Sequence, residues 1–340
     1  MASIHPDVLG QLDPTFVKFF QDTSGVHVAT HKIPLEEIRK DPHKFASRWS
    51  LNAVEQGFDR VQDYQVPTKD GTTTITARAY SPDPETAGPG PYSVHVNFHG
   101  GGFVFGDLTN DAEYCLHVRD TLPLVVVDVD YRKCPDVKFG TSIEDAWSAI
   151  QWVHANSAKL NTNSASLSIG GISAGAQCAS ICAHLARAAG LSLRLAILAV
   201  PPAAAHYKYS SPQDSPFPSF AEYANAPMLG WERIQYFIPY VYPTDQIDEL
   251  RKAVPAFWFS ALEAPNCAGI CDTFVVTAGC DPLRDEGEAY ARKLVEAGVK
   301  VTIRRYPGVP HPFMHMTKVL QQAVDYEADC IALLKQAHGI

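Results

Sequence analysis

The spacing of apolar positions changes along the chain, and each spacing predicts one kind of secondary structure. Runs that are β-branched, or that alternate between apolar and polar residues, predict strands over residues 72–80, 94–98, 122–131, 165–171, 193–200, 272–278 and 299–306. Apolar residues one helical turn apart predict helices over residues 142–160, 174–189, 286–297 and 318–337. Strands and helices that alternate in this way are typical of an α/β fold, a mostly parallel sheet with helices on both faces.

Two segments interrupt this alternation. Residues 1–60 predict helices without strands, and the segment after the strand over 193–200 is rich in proline and aromatic residues. Loops that follow sheet strands often form ligand sites, so we interpret both segments as a cap, although a helical decoration with its own aromatic core would look similar. The predicted division is an N-terminal cap segment at 1–60, a first α/β part at 61–202, a cap insertion at 203–265 and a second α/β part at 266–340.

Composition and charge exclude several classes of function. The 340 residues are 46% hydrophobic and 19% charged, with a formal net charge of −9, which is ordinary for a globular protein. Because no block of lysine and arginine stands out, a nucleic-acid partner is not expected. No stretch approaches the roughly 18 apolar residues of a membrane span. The first residues lack the features of a secretory signal, so we expect a cytoplasmic protein.

The eight cysteines are scattered along the chain and predict free thiols. Cys267 and Cys271 are close in sequence, but no second Cys/His pair with zinc-site spacing accompanies them, so no metal site is predicted. Cys178 and Cys182 are one helical turn apart and are predicted to be small core residues.

A candidate nucleophile lies between a predicted strand and a predicted helix. The segment from Gly171 to Gly175 reads Gly-Ile-Ser-Ala-Gly and matches G-x-S-x-G, with Ser173 at its centre. The glycines allow a sharp turn that holds the serine clear of the sheet, and the following helix points its N-terminus at developing negative charge. A turn built of small residues for packing alone would give the same pattern.

A glycine-rich segment upstream supports the catalytic interpretation. His99, Gly100, Gly101, Gly102 and Phe103 follow a predicted strand. The backbone N–H groups of Gly101 and Gly102, together with that of Ala174, are predicted to form an oxyanion hole. A flexible loop or a phosphate cradle is the alternative, and the cradle is disfavoured because no Lys-Ser/Thr pair follows.

A serine nucleophile needs a base and a carboxylate that orients the base. Asp281 directly follows the strand over 272–278, and His311 follows the last strand in a loop rich in glycine and proline. Asp281 could instead cap the next helix, unless Asp285 takes that role, and His315 is a rival to His311. The chain order Ser173, Asp281, His311 is the order that α/β-hydrolases use.

These pieces occur together in one known family. The chain resembles the hormone-sensitive-lipase family of esterases, a branch of the α/β-hydrolases, at residues 99–103, 130–132, 144–146, 171–175 and 281–285, and in His311 followed by Phe313. The resemblance runs from about residue 70 to the end, with the motifs in the family's order. It implies an eight-stranded sheet, no cofactor, a cap from the N-terminus and the insertion after the sixth strand, and hydrolysis of small or medium carboxylic esters.

The chain departs from this family's pattern at four places. Ile172 stands where the family usually has aspartate, and Ala176 stands where it usually has glycine. Lys133-Cys134-Pro135 replaces Leu-Ala-Pro, and Pro312 replaces the glycine after the histidine. None of these changes removes a predicted catalytic group, and together they indicate a divergent member.

The predicted function is hydrolysis of a small-molecule carboxylic ester by a serine hydrolase with a Ser173–His311–Asp281 catalytic triad and an acyl-enzyme. The aromatic cap favours apolar or aromatic esters. Acyl transfer, or a specialised deacylation or dehydration in secondary metabolism, would use the same triad and is an alternative. A non-catalytic small-molecule receptor is a weaker alternative, because serine, aspartate and histidine are all present. A homodimer formed through an exposed edge strand is left open.

Overall fold

A computed structural model describes residues 4–23, 30–40 and 57–340. Its strands are β1 (Val61–Pro67), β2 (Thr74–Tyr80), β3 (Tyr92–Phe98), β4 (Leu124–Asp130), β5 (Thr162–Ile172), β6 (Leu195–Ala199), β7 (Asp272–Ala278) and β8 (Val301–Tyr306). They form one eight-stranded sheet in the order β1-β2-β4-β3-β5-β6-β7-β8. Pairs β1–β2 and β2–β4 are antiparallel, and every other pair is parallel. The predicted mostly parallel α/β fold is therefore confirmed.

The helices lie around this sheet and in the two segments predicted to form a cap. They are α1 (Pro6–Leu9), α2 (Pro14–Asp22), α3 (Leu35–Lys40), α4 (Pro84–Ala87), α5 (Ala112–Thr121), α6 (Thr141–Ala155), α7 (Ser157–Leu160), α8 (Ala174–Ala188), α9 (Pro218–Glu222), α10 (Trp231–Val241), α11 (Ile247–Ala253), α12 (Ala256–Phe259), α13 (Arg284–Glu296) and α14 (Gln321–His338). None of the helices formed by the described residues is both long and apolar enough to be a membrane span.

The core lies in two layers, one on each face of the sheet. Successive residues of β4 point to opposite faces, so Val125 and Val127 pack on the side of α6 and α8, while Leu124 and Val126 pack on the side of α5 and α14. Each fully buried valine or leucine stabilises the fold by about 1.5–3 kcal/mol. Burial on both faces explains why β6 is a continuous apolar run, whereas the equally buried β3 alternates with polar residues such as His95 and Asn97.

Three elements differ from the sequence predictions. Strand β1 was not predicted, because Val66 is its one fully buried side chain and its alternation is weak. Helix α5 was not predicted either, because its buried face includes the charged Arg119, so apolar and polar positions are poorly separated along its sequence. The helix expected over 142–160 is split into α6 and α7 at Asn156.

The domain division predicted from the sequence falls partly outside the described residues. Within the predicted cap segment at 1–60, residues 1–3, 24–29 and 41–56 are not described. The described part contains α1, α2 and α3 and no strand. The segment 203–265 follows β6 and contains α9 to α12. The division into cap and α/β parts stays a prediction.

All eight cysteines are free thiols. Cys178 and Cys182 are fully buried in the core layer on the side of α6 and α8, as the sequence predicts. Burial raises the pKa of the Cys271 thiol to about 12, which keeps this thiol protonated at neutral pH.

Candidate active site

Ser173 occupies a strained turn between β5 and α8. Its φ of 56° and ψ of −117° lie in a region that non-glycine residues rarely adopt, which is the backbone expected for a nucleophile at a strand-to-helix turn. The turn also requires close backbone packing, since a Cβ atom at Gly175 would lie 1.9 Å from the carbonyl oxygen of Phe98. Only glycine fits there, which explains the last residue of the predicted motif.

Ser173, His311 and Asp281 form a continuous hydrogen-bond chain. His311 Nε2 lies 2.8 Å from Ser173 Oγ, and His311 Nδ1 lies 2.7 Å from Asp281 Oδ2. Because a carboxylate only accepts hydrogen bonds, Nδ1 carries the hydrogen and Nε2 faces the serine as an acceptor. The His311 side chain is 8% exposed and that of Asp281 is 1% exposed, so water is largely excluded from this chain.

The Asp281 carboxylate contacts both His311 and the backbone ahead of α13, but it does not cap that helix, whose N-cap residue is Leu283. Its Oδ1 accepts the backbone N–H of Leu283 at 3.0 Å, just before α13, while its Oδ2 accepts from His311. Asp285 does not take over this local contact, because its carboxylate accepts from the N–H of Ser219 and from Arg284. The rival His315 does not contact Ser173 either, since its Nε2 donates to Asp111.

The predicted glycine loop is anchored from below by His99. The Tyr131 hydroxyl donates to the His99 carbonyl at 2.7 Å, and the two rings stack with their centroids 4.3 Å apart. His99 Nδ1–H donates to the carbonyl oxygen of Gly100 at 2.7 Å. Burial lowers the pKa of His99, which favours a neutral ring. His99 and Tyr131 therefore support the loop and do not contact the nucleophile.

The N–H groups of Gly101 and Gly102 are available to a ligand. No backbone hydrogen bond within residues 57–340 uses either donor, and both residues line a cavity together with Ser173 and Ala174. Gly101 has a φ of 124°, and a Cβ atom there would lie 2.2 Å from the Phe105 carbonyl oxygen. The loop conformation that exposes these donors therefore depends on glycine.

Sequence reasoning missed residues that shape the same site. Gly106 has a φ of 98°, and a Cβ atom there would lie 2.3 Å from His99 Nδ1, so this glycine allows His99 to fit under the loop. The sequence feature that could have indicated it is a further glycine three residues after the predicted segment 99–103.

The segments at 130–132 and 144–146, which resemble the family, are joined by an ion pair. Arg132 forms a bidentate ion pair with the buried Asp145, at 2.8 and 2.7 Å, which gives the two segments a shared structural role.

The cavity above Ser173 has a volume of about 360 Å³. The insertion supplies much of its apolar wall, through Met228, Leu229, Ile234, Phe237, Ile238 and Val241. Ile38 of the N-terminal segment also lines it. Phe237 packs on the glycine loop, since a Cβ atom at Gly102 would lie 2.8 Å from its ring. Both segments interpreted as a cap therefore border the nucleophile.

The departures from the family pattern leave this geometry intact. Ile172 is 5% exposed, packs in the core layer on the side of α5 and α14, and also lines the cavity. Ala176 is buried in the other layer, and the backbone N–H of Cys134 donates to the Phe103 carbonyl oxygen at 2.8 Å. Pro312 lies next to His311 in the cavity wall.

A Ser–His–Asp chain at the carboxyl ends of a mostly parallel eight-stranded sheet defines an α/β-hydrolase. Comparisons with known proteins agree. A family model described as alpha/beta hydrolase fold matches residues 95–315. A carboxylesterase of Mycobacterium tuberculosis is 31% identical over 334 residues, which cover 97% of this chain and 95% of that protein. An ethyl acetate hydrolase of Pseudomonas putida is 29% identical, over 88% of this chain and 90% of that protein.

Solved structures give the same result. An esterase from Pyrobaculum calidifontis has a TM-score of 0.81 and 28% identity, with 96% of this chain and 98% of that chain covered. The chain belongs to the alpha/beta hydrolase family, and the resemblance to the esterases of the hormone-sensitive-lipase branch is confirmed. It is a hydrolase of the carboxylesterase type.

Proposed function

We propose that this protein hydrolyses small to medium carboxylic esters with Ser173 as nucleophile, His311 as general base and Asp281 as the carboxylate that orients the base. The observation that carries the proposal is the hydrogen-bond chain from Ser173 Oγ through both nitrogens of His311 to Asp281. A base within 2.8 Å of the serine hydroxyl can remove its proton without rearrangement.

In the first half of the reaction, His311 Nε2 takes the proton from Ser173 as Oγ attacks the ester carbonyl carbon. Asp281 stabilises the imidazolium that forms. The tetrahedral intermediate collapses as its bond to the alkoxy oxygen breaks and His311 gives its proton to the leaving alcohol. In the second half, His311 deprotonates water, which attacks the acyl-enzyme, and the acid leaves as Ser173 Oγ regains a proton.

The developing negative charge on the carbonyl oxygen is proposed to be held by the N–H groups of Gly101, Gly102 and Ala174. The first two are supported by their unused backbone donors, and the third by its place at the first residue of α8, where helix N–H groups lack partners within the helix. A single oxyanion donor contributes about 3 kcal/mol to stabilisation of the transition state.

The cap and the cavity support small to medium, apolar or aromatic esters. A volume of about 360 Å³ lies at the lower end of the range for small-molecule sites, about 300–1,000 Å³. Aromatic side chains from both the loop and the insertion surround it, among them Phe105, Phe237 and Tyr242. The Pseudomonas putida relative is named for hydrolysis of ethyl acetate, which is a small ester. We propose that residues 203–265 and the N-terminal segment act together as the cap.

The test is Ser173→Ala, measured with p-nitrophenyl esters of increasing acyl length and with a fluorophosphonate probe. We expect wild-type turnover to be highest for short acyl chains, and the variant to lose a factor of about 10⁴–10⁶ in kcat while keeping its circular dichroism spectrum. The probe should label wild type and not the variant. Near-normal esterase activity in Ser173→Ala would show that another residue is the nucleophile.

A further inference from the structure

His315 lines the cavity that contains Ser173, but the proposed mechanism does not use it. It lies in the turn Phe313–His315, immediately after His311 and Pro312. Its side chain is 20% exposed, and its Nε2 lies 2.9 Å from Asp111 Oδ1. A second histidine–carboxylate pair therefore borders the same cavity as His311 and Asp281.

Asp111 directs its carboxylate to His315 instead of capping a helix. It occupies the N-cap position of α5, yet its side chain makes no capping hydrogen bond there. Its Oδ1 accepts from His315, and its Oδ2 accepts from the Asn97 amide at 3.0 Å. Burial acts to raise the pKa of Asp111, but these hydrogen bonds outweigh burial and hold the pKa below its ordinary value. A buried, ionised carboxylate thus orients the ring.

The next residue of the network does not compete for His315. The Asn97 amide also donates to Asp128 Oδ1 at 2.9 Å. Burial, together with the charge of Asp111, raises the pKa of Asp128 to about 8, so this carboxyl group is mostly protonated at neutral pH. The negative charge of the cluster therefore resides on Asp111, beside His315.

This contact determines which ring nitrogen of His315 is left for a ligand. Because the Asp111 carboxylate can only accept, His315 Nε2 carries a hydrogen. No hydrogen bond among the described residues uses His315 Nδ1. His311 has the opposite arrangement, with Nδ1 toward the carboxylate of Asp281 and Nε2 toward Ser173. His315 Nδ1 is therefore the ring nitrogen left without a hydrogen bond among the described residues, on a side chain that lines the cavity.

The chemistry of the ligand follows from the two states of an imidazole. The neutral ring accepts a hydrogen bond at Nδ1, and the protonated ring donates one there. A hydroxyl group satisfies either state, because it both donates and accepts. In the proposed mechanism His311 gives its proton to the leaving alcohol, and His315 lies four residues further along the same loop. The alcohol portion of the ester is therefore the part to which the hydroxyl is assigned.

We propose that His315, oriented by Asp111, binds a hydroxyl group on the alcohol portion of the substrate and selects monoesters of diols or polyols over esters of simple alkanols. This inference rests on the proposed function, since it assigns a subsite to the same reaction. His315 is a specificity residue here and takes no part in proton transfer. A site that hydrogen-bonds a substrate hydroxyl discriminates against the analogue that lacks it.

The test compares propyl butyrate with 3-hydroxypropyl butyrate, which share the acyl group and differ by one hydroxyl. The readout is the ratio of the two kcat/KM values, measured from acid release. We expect wild type to favour the hydroxylated ester by about 3- to 10-fold, the effect of one hydrogen bond. The variant is His315→Phe combined with Asp111→Asn, so that no buried charge loses its partner, and Asp111→Asn alone is its matched control. The double variant should bring the ratio close to 1 while the control keeps a preference.

Each outcome bears on one claim. Equal kcat/KM values for the two esters in wild type would overturn the inference without any variant, even if the double variant failed to fold. The same ratio in the double variant and its control, with both rates lowered, would mean that His315 only positions the loop, and this also overturns it. If wild type hydrolysed neither ester while the p-nitrophenyl esters were also inert, the proposed function would fail instead.

Discussion

A network of side-chain hydrogen bonds joins the last helix to the centre of the sheet. His338, near the end of α14, places Nε2 2.8 Å from Ser168 Oγ and Nδ1 2.8 Å from Ser166 Oγ. His95 Nδ1 lies 2.9 Å from the same Ser168 hydroxyl. Burial lowers the pKa of His338 to about 4 and that of His95 to about 3. Both rings are therefore neutral in the folded protein at pH 5, where exposed histidines are protonated.

The consequence for stability has a definite sign. A histidine whose folded-state pKa is depressed contributes stability that is present above its unfolded pKa of about 6.5 and is lost as the pH falls toward the folded pKa. Between pH 7 and pH 5 the unfolded chain binds a proton at His338 and the folded chain does not. The free energy of unfolding then falls by about 2 kcal/mol through this one residue.

The perturbation that isolates this effect is His338→Gln, since glutamine does not titrate. At pH 7 the variant loses hydrogen bonds to the serines and should be less stable by about 1–2 kcal/mol. At pH 5 wild type has lost the additional 2 kcal/mol or so, and the gap should close or reverse. Groups that titrate in both proteins cancel in the difference, so only the gap between the two proteins is interpreted.

The assay is equilibrium urea unfolding of both proteins at pH 7 and pH 5, followed by circular dichroism. His154→Gln is the matched control, because it makes the same replacement at an exposed histidine of α6, and the change in gap for His338→Gln is compared with the change for this control. A gap between wild type and His338→Gln that stays constant from pH 7 to pH 5 would refute the reasoning, because the folded His338 would then be free to bind a proton.

Three further predictions concern the site and the buried carboxyl group. Asp281→Asn should lower kcat about 10⁴-fold by disturbing the His311 tautomer, whereas Asp285→Asn should have a far smaller effect, as steady-state kinetics will measure. Gly101→Ala should lower kcat by at least about 10²-fold, because a Cβ atom 2.2 Å from a carbonyl oxygen displaces the loop; normal kinetics would exclude the oxyanion role. As the pH rises from 5 to 8, wild type should lose stability, because the raised Asp128 pKa of about 8 favours the protonated form and the unfolded chain is already ionised. Asp128→Asn does not titrate, so its stability relative to wild type should increase with pH, whereas that of His338→Gln should decrease. Urea unfolding at both pH values checks this, and an unchanged gap contradicts it.

The sequence predicted the sheet well where its strands are buried on both faces. Residues 272–278 were predicted as a strand and match β7, since a continuous apolar run between turn residues permits little else. The mostly exposed β1 was missed, because a strand at the edge of a sheet needs few apolar side chains and carries a weaker pattern. Helix α5 was missed for a different reason, since its buried positions include the charged Arg119, which obscures the helical period in the sequence.

The residues that the structure brings together in the candidate site could be proposed from the sequence where a local motif or a position after a strand marked them. Ser173 and the glycines of its loop stand in short motifs with a required backbone, and Asp281 and His311 each follow a strand that ends at the same edge of the sheet. Gly106 was missed because its need for glycine comes from the His99 ring beneath it, a contact that no local pattern records. The residues that line the cavity could not be predicted either, since α10 and the glycine loop are distant in sequence and meet only in the folded chain.

Three histidine–carboxylate pairs lie around this cavity, and only one of them could be predicted from the sequence. His311 with Asp281, His315 with Asp111, and His206 with Glu286 are each a histidine held by a buried carboxylate, at 2.7, 2.9 and 2.9 Å. The first pair spans 30 positions and follows two consecutive strands, so chain order predicts it. The other two span 204 and 80 positions and join a helix N-cap to a turn, or the start of the insertion to α13.

No periodicity links such distant partners, and they come together because the loops and helices that carry them follow strands of one sheet. Burying a carboxylate is costly unless hydrogen bonds compensate it. In both extra pairs the compensation comes from the backbone or an amide as well as from the histidine: Glu286 accepts the N–H groups of Ala203 and Ala204, and Asp111 accepts from Asn97. Among the residues that the structure describes, neither carboxylate pairs with a lysine or arginine, and each contacts a ring that lines the cavity. In our proposal the triad carries turnover and His315 selects among esters, while His206 is a further histidine of the cavity wall held by a buried carboxylate.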